Sequence, residues 1–257
     1  MKNSKVQLQG GNISSVFRDA DTVIRTRKKE TPTIHRFLNH LQSKGFTASP
    51  RVIALEAETE ILSYMDGDIL KDYPHAFTIE QRIAIVKSVA TLLREFHDKG
   101  QDFEVMPSDS FFLRYEGPKD DCVMCHNDIA PYNMTFKGTS AHGIFDFDTI
   151  CPAPRKWDIA YAVYRFASLG NEYLAIYNSK EHENRIHLVK VFCDAYGWEA
   201  QGIIKDVCAR LQALVDLFDR EVERNTQAFI DMKKAGHQDF YKKEIVFLKS
   251  AYKNDFI

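Results

Sequence analysis

The densest polar chemistry in the chain lies in eight consecutive residues, His126-Asn127-Asp128-Ile129-Ala130-Pro131-Tyr132-Asn133, set between the apolar runs Cys122-Val123-Met124-Cys125 and Met134-Thr135-Phe136. A loop that offers a carboxylate and, five residues later, an amide can point Asp128 at a substrate hydroxyl while Asn133 turns back onto a metal ion. One hairpin later comes Ile144-Phe145-Asp146-Phe147-Asp148, in which Asp146 ends an apolar strand and is placed to ligate Mg²⁺ through oxygen. Together these residues propose a metal-assisted phosphoryl transfer site. The transferred group is already highly charged, so catalysis needs cationic clamps and a well-held nucleophile more than covalent chemistry. Asp148 reads equally as a second metal contact or as a loop cap.

The elements that must hold these residues follow from hydrophobic periodicity. Residues 13–18 and 22–27 read as strands around the turn Asp19-Ala20-Asp21. Thr31 and Pro32 then open a helix that runs to about 44 and is closed by Gly45. Two further strands, 51–55 and 60–65, complete a small antiparallel sheet with one helix. After Asp66-Gly67-Asp68 the period changes: Thr78 and Gln81 form a capping box, and Ile83, Val86, Val89, Leu93 and Phe96 recur at helical spacing. Residues 122–148 return to short strands, and from Trp157 the pattern is helical almost to the end, with breaks near Gly170, Gly197 and Gly236. The expectation is an α+β fold in two parts, 1–66 and 67–257.

The ordered motifs H-N-D-I-A-P-Y-N (126–133), I-F-D-F-D (144–148) and Trp157-Asp158-Ile159-Ala160-Tyr161 resemble those of the aminoglycoside phosphotransferase and choline kinase family, which has the protein-kinase-like fold. The resemblance implies Asp128 as catalytic base, Asn133 and Asp146 as Mg²⁺ ligands, and Asp158 as a brace for the catalytic loop. His126 is expected to be structural, its ring packed under the loop and hydrogen-bonded to backbone. In the first lobe Gly10, Gly11 and Ser14 resemble a short Gly-rich phosphate loop, whose backbone can approach phosphate closely because Gly lacks a Cβ. The strand 60–65 resembles the hinge, with backbone groups near Ser63 and Met65 meeting the purine of ATP or GTP. Kinases grip the nucleotide phosphates with a strand Lys held by a helix Glu. Here Arg25 stands at the Lys position and the helix from Pro32 to Lys44 has no acidic residue, so that ion pair is expected to be missing. Arg25 retains the charge and the fork of N–H groups needed to bind phosphate.

Other features read as structure. Cys122-Val123-Met124-Cys125-His126 matches the spacing of a haem attachment or half-zinc motif. The remaining cysteines are too scattered to complete a zinc site, however, and the alternation is that of a strand. The acids of the helix around 203–225 (Asp206, Asp216, Asp219, Glu221, Glu223) are interleaved with Arg210, Arg220 and Arg224, the pattern of a solvated face more than of a receptor for a cationic substrate. Tyr161, Tyr164 and Phe166 read as core.

Composition bounds the rest. The 257 residues are 44% hydrophobic and 27% charged, which suits a globular chain with a substantial core. With 34 basic and 36 acidic residues the net charge is −2, and no nucleic-acid partner is expected. No apolar run reaches the roughly 18 residues of a membrane helix, the N-terminal residues lack a signal-like apolar stretch, and the five cysteines read as reduced thiols. A cytoplasmic protein without a membrane partner is the expectation. The reading is a kinase that takes Mg²⁺ and a nucleoside triphosphate and phosphorylates a small-molecule hydroxyl acceptor. The alternative is a nucleotide-binding pseudokinase or toxin-immunity protein with little catalytic activity.

Overall fold

Alternating apolar and polar residues in the first third produce a strand ladder. The computed structural model describes residues 6–7, 16–119 and 121–255. Among them, β1 (Val6–Gln7), β2 (Val16–Asp19), β3 (Thr22–Thr26), β4 (Val52–Leu55) and β5 (Thr59–Ser63) form an antiparallel sheet in the order β1-β2-β3-β5-β4. Directly opposed residues share a face, so the β3–β5 register sets Val23 beside Leu62 and Arg25 beside Glu60. In β5 the buried positions are Glu60 and Leu62. A two-residue period thus delivers a carboxylate, along with a leucine, to the inner face.

Helix α1 (Thr31–Ser43) buries Ile34, Phe37, Leu38 and Leu41, spaced as one helical stripe. Its start differs in detail from the expectation. Glu30 occupies the N-cap without a side-chain bond, and Thr31 Oγ1 instead accepts the Lys28 N–H at 2.9 Å. The helix ends where Gly45 adopts φ +80° and the Phe46 N–H reaches back to the Leu41 carbonyl at 3.0 Å. Helix α2 (Ile79–Gly100) begins with the expected capping box: Gln81 Oε1 accepts the Thr78 N–H, and Thr78 Oγ1 accepts the Gln81 N–H. Val86, Val89, Leu93 and Phe96 are fully buried, as is Ile85, whereas Ile83 is only half-buried.

Two two-stranded ladders follow. β6 (Cys122–Cys125) pairs with β9 (Cys151–Pro154), a strand the sequence did not announce because Pro152 and Pro154 interrupt it. The hairpin β7 (Met134–Lys137)–β8 (Ser140–Ile144) is extended by a bridge from Asp68 to Phe136. Gly67 precedes that bridge at φ +125°, and a Cβ there would stand 2.8 Å from the Phe136 carbonyl, so only glycine permits the approach. Helices α3 (Arg155–Phe166), α4 (Ser179–Tyr196), α5 (Ile203–Glu223), α6 (Gln227–Lys234) and α7 (His237–Ala251) make up the remainder. All five cysteines are free thiols. No helix among the described residues is long and apolar enough to cross a membrane.

Two compact units are present. One comprises residues up to Leu70 with Leu92–Asn127 and Tyr132–Arg155, and the other Lys71–Thr91, Asp128–Pro131 and the residues from Lys156 onward. The core of the first is aromatic: Phe37, Phe46, Phe96, Phe103 and Phe147 meet edge-on or tilted at centroid distances of 5.2–6.4 Å. In the second, α5 packs against α6 and α7, with Phe218 against Phe229 at 5.3 Å. Two buried charged side chains there take part in hydrogen-bond networks. Arg185, fully buried, reaches Glu181, Tyr173 O and Tyr252, and Glu244 Oε2 accepts from Tyr164 Oη and the Asn171 N–H, each at 2.9 Å. Burial pushes the Glu244 carboxyl above its ordinary value.

Phe96 meets the rings of Phe37, Phe46, Phe147 and His97, so Phe96→Ala leaves a cavity and should cost about 3–5 kcal/mol, read as a lowered urea midpoint with unchanged slope. Asp109 ties the segment after α2 to α1 by accepting from Arg36, Thr33 and the Met106 N–H. Burial opposes its charge, but these donors hold its carboxyl below the usual range. A depressed folded pKa contributes stability above the unfolded value of 3.8 that is lost as pH falls through the folded one. The stability deficit of Asp109→Asn should therefore be full at pH 7 and shrink below about pH 4, measured by denaturant titration across that range.

Candidate functional site

The loop after β6 is held by hydrogen bonds that its own residue types supply. Asn127 lies at φ +68°, a left-handed conformation Asn tolerates better than most residues. Its Nδ2 donates to Thr149 O at 2.8 Å and Cys125 O at 3.2 Å, while Thr149 Oγ1 donates to His126 O at 2.8 Å. His126 is fully buried, stands edge-on to Phe147 at 5.0 Å, and donates from Nε2 to Phe145 O at 3.0 Å. Asn133 is buried and its carbonyl accepts the Phe145 N–H at 3.0 Å. Asp146 turns the chain out of β8 at φ +64°, ψ +66°, into a short 3-10 turn at Phe147–Thr149. Two of the six left-handed non-glycine residues among the described residues, Asn127 and Asp146, lie one in each motif.

Facing Asp146 is a buried charge cluster in the same unit. Arg25 Nε donates to Glu60 Oε1 at 2.7 Å, one Nη lies 2.8 Å from Asp148 Oδ1, and the other lies 3.6 Å from Asp146 Oδ1. Lys28 Nζ also bonds Asp148, and His35 Nε2 of α1 bonds Glu60 Oε2 at 2.6 Å. Three carboxylates thus meet two permanent cations. Burial works against the Arg25 charge, but Asp148, Glu60 and Asp146 outweigh it and raise its pKa further. Burial likewise opposes the Asp148 charge, yet Arg25 and Lys28 hold its carboxyl below the usual range.

This cluster corrects one expectation. The ion pair at the Lys position is present: its acid comes from β5, across the β3–β5 ladder, instead of from α1. Sequence reasoning missed Glu60, His35 and Lys28. The signal for Glu60 was an acid in phase with Leu62 on a strand whose other face is half-exposed.

The donor set suits a hard divalent cation. Asp146 carries a carboxylate whose side chain is 45% exposed, and Asn133, whose backbone carbonyl bonds the residue before Asp146, carries an amide; both are oxygen groups of the kind hard cations take. Asp148 is tied to Arg25 and Lys28, which holds its carboxylate beside Asp146.

Asp128 belongs to the second unit and is half-buried. Tyr241 of α7 has its pKa raised by burial and then by the charge of Asp128, while Arg165, Arg210 and a hydrogen bond with Tyr161 act in the opposite sense. The Arg210 guanidinium stacks over Tyr161 at 5.0 Å and Trp157 at 5.7 Å. Asp158, in the first turn of α3, is fully buried. The α5 acids are engaged by neighbours: Asp206 by Lys156, Asp216 by Gln212, Asp219 by Lys233 and Gln238, and Glu221 by Arg224 and Thr226.

Of the nucleotide-binding expectations, Gly10, Gly11 and Ser14 lie outside the described residues. Ser63 ends β5, where its N–H donates to Arg51 O and its Oγ accepts the Arg51 N–H, and Met65 is half-buried with its methyl beside Gly143. Because Asn127 links the loop to Thr149, Asn127→Ala loses the amide bonds to Thr149 O, Cys125 O and Cys151 Sγ and places a Cβ residue without a compensating amide in a left-handed conformation. The expected cost is roughly 2–4 kcal/mol, and Asn127→Gly should recover the backbone part in the same unfolding assay.

Residues 112–189 match the phosphotransferase enzyme family. The trifolitoxin immunity protein of Rhizobium leguminosarum bv. trifolii is 24% identical over 202 residues, covering 76% of this chain and 75% of that protein. Among solved structures, a putative aminoglycoside phosphotransferase from Ralstonia eutropha superposes with TM-score 0.64 at 14% identity, over 96% of this chain and 93% of that one. The GDP and kanamycin complex of APH(2")-IIIa gives 0.63 at 14% identity, over 100% and 95%. A choline/ethanolamine kinase family protein from Mesorhizobium loti gives 0.60 at 13% identity, over 96% and 93%. Residues 112–189 thus carry the match to the phosphotransferase enzyme family, and the chain as a whole has the protein-kinase-like fold of the aminoglycoside phosphotransferase structures.

Proposed function

We propose that the protein is a small-molecule kinase that moves the γ-phosphoryl group of ATP or GTP to a substrate hydroxyl with Mg²⁺. The observation that carries this reading is the oxygen-rich turn around Asp146. It is held left-handed, faces the Arg25 fork, and is built on the segment that matches the phosphotransferase family. Asp128, half-buried in the loop between β6 and β7, accepts the acceptor's hydroxyl proton as the new P–O bond forms and the bond from the γ-phosphorus to the departing nucleoside diphosphate breaks. Arg25 binds phosphate oxygens through its terminal nitrogens. Asn133 and Asp146 would hold the cation. When bound, Mg²⁺ neutralises the charge on the phosphate oxygens. The structures of relatives complexed with GDP and with kanamycin support nucleotide and small-molecule binding as the reading for this chain.

One observation favours a second reading: the curated relative is named an immunity protein. On that reading the chain confers protection as a nucleotide-binding protein with little turnover. Titration with ATP and GTP followed by a phosphate-release assay over a panel of hydroxylated acceptors separates the two, since binding without turnover favours immunity by sequestration. For a kinase, Asp128→Ala should lower kcat by about 10²–10⁴ while nucleotide Kd stays within about threefold. Chelation of Mg²⁺ should sharply weaken nucleotide binding. Unaltered turnover in Asp128→Ala, or affinity indifferent to Mg²⁺, would refute the assignment.

A further inference from the structure

We propose that Glu60 and His35 are positioning residues for Arg25: the carboxylate that steadies a kinase's phosphate-gripping cation sits here on the neighbouring strand, and the helix contributes a histidine that holds the carboxylate. The inference rests on the kinase reading above. Its physical basis is the way the guanidinium is divided. Glu60 takes Nε at 2.7 Å, which fixes the plane of the fork and aims both terminal nitrogens at Asp146 and Asp148. A lysine would offer its donors from a single rotatable point, whereas the planar guanidinium fixes the direction of its far edge once Nε is bonded.

Glu60 is itself fully determined. It is 0% exposed, with Oε1 bonded to Arg25 and Oε2 to His35 at 2.6 Å, so both oxygens are engaged on opposite sides. His35 follows Ile34 in α1, and the stripe Ile34, Phe37, Leu38 and Leu41 anchors that helix in the core. The position of α1 is thereby transmitted through His35 and Glu60 to Arg25. In kinases the same coupling runs through a helix Glu to a strand Lys. Here the helix and strand partners have exchanged chemistry while helix-to-cation contact is retained. A buried charged cluster of this kind is poor value as a stabiliser, since apolar side chains of similar volume would often do as well, which points to a role for the charge.

The test uses the full chain with MgATP and MgGTP as probes and reads nucleotide Kd, acceptor KM, kcat and thermal midpoint. Glu60→Gln should raise nucleotide Kd about tenfold with acceptor KM unchanged, and His35→Gln should raise it about threefold. Glu60→Asp keeps the charge but shortens the reach, so it should fall between wild type and Glu60→Gln, giving a readout even where Glu60→Gln folds poorly. The exchange His35→Glu with Glu60→His restores a helix carboxylate beside Arg25 and should bring nucleotide Kd back to within about threefold of wild type. The proposal is overturned if folded Glu60→Gln and Glu60→Asp bind nucleotide as tightly as wild type, or if the exchange restores the thermal midpoint without restoring Kd. Wild type that binds neither nucleotide in the presence of Mg²⁺ would overturn the kinase reading, and this one with it.

Discussion

Burying the Glu60 carboxylate is the constraint around which the first unit is organised. A charged group with no exposure is tolerated only when its lone pairs are taken up by donors of opposite or complementary charge, and both Glu60 oxygens meet that condition. To satisfy it, β3 and β5 must pair in the register that sets Arg25 opposite Glu60, and α1 must present His35 to the same point. A slip of one residue would turn Glu60 to the other face of the sheet and strand Arg25 without its partner. The same arginine then reaches Asp146 and Asp148, so the sheet, the helix and the motif-bearing turn are connected through one guanidinium.

The loop and turn that carry the motif polar residues owe their shape to a second set of interactions. Asn127 and Asp146 both occupy left-handed backbone conformations, and each is held by its surroundings: Asn127 by bonds to Thr149 O and Cys125 O, Asp146 by the turn that follows β8. His126 adds a bond from its ring to Phe145 O while stacking edge-on against Phe147, which joins the polar loop to the aromatic core beneath it. Local strain is thus sustained by a network rigid enough to over-determine it, a common arrangement where side chains must be held for chemistry.

In the second unit the balance of charges differs from what an amine-rich acceptor would suggest. Asp206, Asp216, Asp219 and Glu221 of α5 are paired with neighbouring basic and amide side chains, whereas the groups that share the Tyr241 environment with Asp128 include Arg165 and Arg210. Arg210 is buried against Trp157 and Tyr161, so its cation is matched to aromatic faces. Fold likeness to aminoglycoside phosphotransferases and to a choline/ethanolamine kinase family protein leaves the acceptor to be decided by such local chemistry.

Much was legible in the linear order of residues, because periodicity and local hydrogen-bonding chemistry act over short distances. The α1 helix and its glycine stop, the Thr78–Gln81 capping box, the β7–β8 hairpin, the free cysteines and the dense polar loop all depend on neighbours within a few positions. What the sequence hid depends on which distant segments meet. Strand β9 was invisible because its prolines argue against a strand, yet it pairs with β6 along an edge where a missing N–H is tolerated. The partner of Arg25 was sought on the helix and lies 35 residues along the chain on β5, since only the packed sheet makes those two positions adjacent. Residue type and spacing determined what chemistry the chain could perform; the tertiary structure alone decided which acid answers which base, because opposite charges choose partners by distance in space, which separation along the chain does not set.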